Sequence, residues 1–89
     1  KEIWILHNEE HKKAILQEAE ILKQQGFDIL IGDKIRPDII ARKENMVYAV
    51  EVEFNQPNYL KYQNNKIFND VIWIKKEYKN KQKRTFKNE

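Results

Sequence analysis

The stretch from Arg36 to Phe54, Arg-Pro-Asp-Ile-Ile-Ala-Arg-Lys-Glu-Asn-Met-Val-Tyr-Ala-Val-Glu-Val-Glu-Phe, limits the fold more than any other part of the chain. Lys43, Glu44 and Asn45 form a polar break between an Ile-Ile-Ala run and a run rich in Val, Tyr and Phe. That is the pattern of two strands joined by a tight turn. Pro37 falls at a strand start, where a missing N–H is tolerated. Side chains alternate between the faces of a strand, so Val47, Ala49, Glu51 and Glu53 point one way and Tyr48, Val50, Val52 and Phe54 the other. With Asp38 beside them on the partner strand, three carboxylates would converge. Like charges that close call for a cation or altered ionisation.

The chain has 89 residues, enough for one small domain, and no Cys, which excludes disulfides and thiolate metal sites. The two His residues, His7 and His11, are too few for a His-rich metal site and are expected to be structural or exposed, so oxygen ligands are what remain for a metal. No apolar run approaches membrane-spanning length, and the N-terminal residues lack the pattern of a secretory signal. We expect an intracellular, cytoplasmic protein.

Taken in order, Ile3-Trp4-Ile5-Leu6 predicts a short buried strand, and Asn8 an N-cap with Glu9 and Glu10 in the first turn of a helix. Ile15, Ala19 and Leu22 repeat at helical spacing, and Gly26 predicts the C-cap. Glu18 falls at the edge of that apolar stripe and Glu20 well away from it. The ordinary reading of Glu18 is a boundary residue paired with a Lys. Residues 27–32 predict another strand. Asn55-Gln56-Pro57-Asn58 carries helix-start signals, predicting a second helix to about Phe68 that buries Leu60 and Ile67, with Gln63 on its flank and Lys61 nearer its polar side. Val71-Ile72-Trp73-Ile74 predicts a last buried strand. The expected order is β-α-β-β-β-α-β, an α/β (α+β) fold with a mixed sheet flanked by helices.

Charge is unevenly spread. Lys75, Lys76, Lys79, Lys81, Lys83, Arg84 and Lys87 stand against only Glu77 and Glu89, so the C-terminal segment is strongly basic although the whole chain is only +3. The expected division is a domain over 1–78 and a basic tail over 79–89. Such a tail suits phosphate contacts or a merely solvated end. Because a strand is predicted almost at Lys1, a piece of a larger protein with a separate DNA-binding domain is also expected.

A helix, a strand, Pro-Asp on a strand, a hairpin and Glu-x-Glu on the next strand, followed by a helix and a strand, together resemble the restriction-endonuclease-like, or PD-(D/E)xK, nuclease superfamily. The matching elements span the chain from the first helix to Ile74. In that family, acids on adjacent strands hold Mg²⁺, and a Lys two places after the Glu positions or activates the attacking water. By this resemblance Asp38 and Glu51 are metal ligands and catalytic residues. Glu53 stands in the usual Lys place as ligand or base, an ExE variant. Glu18 matches an acid that many members place on the first helix. Lys61 and Gln63 are second-tier candidates. The rhythm Arg-Pro-Asp-Ile-Ile, Tyr-Ala-Val-Glu-Val-Glu, Tyr-Leu-Lys-Tyr and Val-Ile-Trp-Ile also resembles nuclease-like domains in replication-relaxation proteins of plasmids and conjugative elements.

The implied activity is a Mg²⁺-dependent (or Mn²⁺-dependent) DNA endonuclease or nickase, with Arg36, Lys75, Lys76, Lys79, Lys81, Lys83 and Arg84 on phosphates and a possible homodimer for cutting both strands. The chemistry agrees independently: a carboxylate-held Mg²⁺ can neutralise a phosphodiester and generate hydroxide. The alternative is a catalytically inactive nuclease-fold module for DNA binding or assembly, favoured by Glu53 in the Lys place. A third reading is a small protein-interaction domain using the apolar run at Trp4. Tyr59, Tyr62, Phe68 and Trp73 are read as core aromatics without a site role.

Overall fold

The computed structural model describes residues 2–32 and 37–78, with side chains from residue 9 onward. It is a small α+β fold: one helix, α1 (Glu2–Gln24), packs on a four-stranded mixed sheet of β1 (Asp28–Ile31), β2 (Ile39–Lys43), β3 (Met46–Glu53) and β4 (Asp70–Lys75). The strands lie in chain order. β1–β2 and β2–β3 are antiparallel, and β3–β4 is parallel.

The β2–β3 hairpin is the predicted one. Lys43 pairs with Met46, so Glu44 and Asn45 make the turn, and Glu44 takes a φ of 59°, a left-handed conformation that strains a residue with a Cβ. The predicted C-cap also forms. Gly26, at φ 97°, donates to the Lys23 carbonyl at 3.0 Å, and Phe27 N–H reaches back to the Leu22 carbonyl at 3.0 Å. This is the Schellman arrangement, and its usual apolar contact is present because Leu22 and Phe27 join the same core cluster.

Cross-strand partners share a face. Ile39 opposite Val50, Ala41 opposite Tyr48, and Ile72 and Ile74 beside Val50 and Val52 therefore build one apolar surface. Ala14, Ala19 and Leu22 of α1, with Ile15 at the margin, pack onto it. The predicted stripe of Ile15, Ala19 and Leu22 is thus the sheet-facing side of the helix.

Two predicted elements are replaced. Residues 3–6 continue α1 rather than forming a strand, which places Asn8 inside the helix instead of at its cap. A four-residue apolar run has no period that separates strand from helix. No Gly or Pro interrupts the chain before Gly26, so each added residue extends the helix by one hydrogen bond.

The predicted second helix shrinks to one 3₁₀ turn, Tyr59–Tyr62. Asparagine side chains outcompete the helical ladder here. Asn65 Oδ1 accepts from Ile67 and Phe68 N–H at 2.7 Å each while its Nδ2 donates to the Phe68 carbonyl at 2.9 Å. Asn69 then pins the segment to β3, donating through its backbone to the Val47 carbonyl and accepting from Val47 N–H. Without a helix there is no apolar stripe to bury, so Leu60 and Ile67 stand 71% and 78% exposed instead of in the core. Among the described residues the order is α-β-β-β-3₁₀-β, with a helix on one face of the sheet only.

Candidate functional site

Glu51 points away from α1, as the alternation along β3 requires. It is the buried charged residue of the described core, 0% exposed. A buried carboxylate must be paired and hydrogen-bonded, and the crossover between β3 and β4 supplies a partner of each kind. Tyr62 donates its hydroxyl to Glu51 Oε2, and Lys61 Nζ lies 3.4 Å from Oε1. Trp73 is the register neighbour of Glu51 on β4. Tyr62 meets the rings of Trp73 and Phe68 edge-on, each at 6.0 Å between centroids.

Asp38 precedes β2. One step beyond the Ile39–Val50 pair, the register sets it across from Glu51. Its carboxylate nevertheless turns toward α1. Val52 N–H donates to Asp38 Oδ2 at 2.8 Å, and His11 Nε2 stands 3.6 Å from the same oxygen. His11 Nε2 also donates to the Val52 carbonyl at 2.8 Å, so the two polar groups of Val52 are divided between Asp38 and His11. Phe54 holds the imidazole edge-on at 5.9 Å. A groove of about 380 Å³ opens beside this pair, lined by Lys12, Ile15, Leu16, Ile31 and Gly32 as well as His11 and Asp38.

The predicted acids therefore separate. Glu51 and Glu53 share a face as expected, with Glu53 half-buried and aligned with Lys75 on β4. Asp38 lies just before β2, and its carboxylate is directed to the other side. Among the described residues no group of three or more His, Asp or Glu side chains gathers as a metal site. Glu18 takes its ordinary role, pairing with Lys76 Nζ at 2.7 Å. It lies about 10 Å farther along α1 than His11. The ion pair ties the helix to the end of β4, and this use of Lys76 departs from the expected phosphate contact. Of the second-tier candidates, Lys61 is brought to Glu51, whereas Gln63 is exposed, with its backbone N–H closing the 3₁₀ turn on the Leu60 carbonyl. Lys75 is exposed on the Glu51 side of the sheet. Arg36, Lys79, Lys81, Lys83 and Arg84 lie outside the described residues.

Sequence reasoning missed two residues. Tyr62, read as core, is a hydrogen-bond donor to the candidate acid, and the only signal was its place next to Lys61. His11, read as structural or exposed, couples α1 to Asp38. Its signal was the helical spacing of four to Ile15, which places it on the sheet-facing side. Comparison with known proteins finds no matching family model, no matching curated protein and no matching solved structure.

Proposed function

We propose that this chain is a restriction-endonuclease-like domain that hydrolyses DNA phosphodiester bonds with Mg²⁺ or Mn²⁺, in a mobile-element or other DNA-processing protein. The observation that carries the reading is the 3.4 Å approach of Lys61 to Glu51, with Asp38 immediately before β2, one step beyond the Ile39–Val50 pair. A motif Glu thereby has an ammonium beside it even though Glu53 occupies the usual Lys position.

The donor chemistry fits a hard cation. Mg²⁺ is commonly bound through one or two carboxylates, with water and substrate phosphate completing the octahedron, but Asp38 and Glu51 are turned to opposite sides of the sheet, and sharing one ion would require the Asp38 carboxylate to leave Val52 N–H and His11. Bound there, such an ion would supply phosphate neutralisation and a water acidic enough to attack near neutral pH. The chain's own residues do the rest. Tyr62 holds Glu51, and Lys61 offers the phosphate a positive charge when it leaves the carboxylate.

Nicking of supercoiled plasmid with Mg²⁺ or Mn²⁺ tests this. Wild type is expected to nick. Asp38→Asn and Glu51→Gln are expected to abolish nicking, and Lys61→Met to lower the rate about a hundredfold. An intact plasmid with folded wild-type protein, or unchanged nicking by the Asp38 and Glu51 variants, overturns it.

A second reading is favoured by one observation, the complete burial of Glu51 beneath Lys61 and Tyr62. A carboxylate so enclosed suits a nuclease-fold module that binds or assembles on DNA without cutting. That reading predicts salt-dependent DNA binding, no cleavage, and no saturable Mg²⁺ binding.

A further inference from the structure

The crossover that brings Lys61 to Glu51 also leaves an aromatic ring in solvent beside it. Tyr59 is 60% exposed, although it contacts Trp73 edge-on at 5.1 Å between centroids and Trp73 contacts Tyr62 in turn. Tyr59, Trp73 and Tyr62 thus form a short aromatic row, open at the Tyr59 end and joined to the candidate acid at the Tyr62 end. An aromatic needed only for the core would be covered. This one is held in place by Trp73 while most of its surface stays in water.

Three lysines flank the row, although Lys61 is paired with Glu51 and Lys75 is aligned with Glu53. Lys61 lies over the Tyr62 ring at 5.8 Å from its centroid. Lys75 is exposed on the same face of β4 as Trp73, about 7 Å along the strand, and Lys66 is exposed in the crossover. Stacking surface with flanking ammonium groups is how proteins hold single-stranded nucleic acid, because every base presents a π-face and every linkage an anionic phosphate. A duplex hides its base faces in its own stack and cannot use such a row.

We infer that Tyr59, backed by Trp73, is a base-stacking platform that makes single-stranded nucleic acid the favoured ligand of the Glu51 site. A base on Tyr59 places the adjoining backbone near Lys61, and Lys75 screens the next phosphate. This inference rests on the nucleic-acid reading above, but it concerns binding and not cleavage.

The experiment is fluorescence anisotropy in EDTA at low salt, using a labelled short oligothymidylate and the duplex it forms with oligoadenylate. The single strand is expected to bind about tenfold more tightly than the duplex. Tyr59→Ala is expected to lose about tenfold in single-strand affinity, with duplex affinity unchanged. Tyr59→Phe, which keeps the stacking ring, should bind as wild type does, and because Tyr59 is exposed both variants should fold. Equal affinity for strand and duplex, an unaffected Tyr59→Ala variant, or no binding of either probe overturns the platform. Binding with these preferences by a protein that never nicks plasmid would sink the hydrolytic reading and leave the platform standing. Nicking by a protein indifferent to Tyr59→Ala would do the reverse.

Discussion

The two faces of this sheet solve burial in different ways. Against α1, Ile39, Ala41, Val50 and Val52 meet Ala14, Ala19 and Leu22, an apolar contact that needs only shape and gains from area removed from water. On the opposite face a carboxylate is sealed by a lysine, a tyrosine and a tryptophan, all delivered by the crossover and β4. The first arrangement tolerates a change that keeps volume. The second tolerates only changes that keep its charges balanced, since a lone buried charge is costly while a matched pair is nearly neutral. Stability in this domain therefore rests mainly on the helix side, and the buried Glu51 of the candidate site lies on the other.

The largest expected effect tests the helix side. Ile39→Ala, at a fully buried position, should cost about 4 kcal/mol in urea unfolding, enough to leave a domain this small barely folded. A cost below about 1 kcal/mol would show that the apolar face does not carry the fold.

Next in size is a test of charge balance on the other face. Lys61→Met should destabilise by about 2 kcal/mol, because it takes an ammonium away from the buried Glu51 carboxylate. In a Glu51→Gln background the same substitution should cost well under 1 kcal/mol. Additive costs in this double-mutant cycle would mean that the pair is not coupled.

The smallest effect is expected at the hinge shared by both faces. Glu44→Gly should raise stability by about 0.5 kcal/mol by relieving the left-handed backbone of the β2–β3 turn. No gain would mean that the turn is not strained.

What the sequence made legible follows the same division. The hairpin, the Gly26 cap and the Ile15-Ala19-Leu22 stripe are local patterns, each fixed by a few neighbouring residues, and each is found where expected. The shared face of Glu51 and Glu53 was equally readable, since strand alternation needs no tertiary information. The first turns of α1 were not, because Ile3-Trp4-Ile5-Leu6 satisfies strand and helix templates alike. Nor was the loss of the second helix, which depends on Asn65 and Asn69 finding particular backbone partners. The turning of Asp38 away from Glu51 was hidden for a further reason. Register sets which residues face each other, but the backbone N–H of Val52 and the imidazole of His11 decide where the carboxylate settles.

The parallel pairing of β3 and β4 also bears on how the molecule comes together. β2 and β3 meet across two residues, whereas β4 must return over residues 54–69 before it can add to the sheet. Closing that longer loop costs more chain entropy, and contacts distant in sequence form later than local ones. Glu51 would then sit in water on a finished hairpin until the crossover arrives with Lys61 and Tyr62. Assembly of the candidate site becomes the closing event of folding, so a rate measured on Tyr62 would report a later step than one measured on the hairpin.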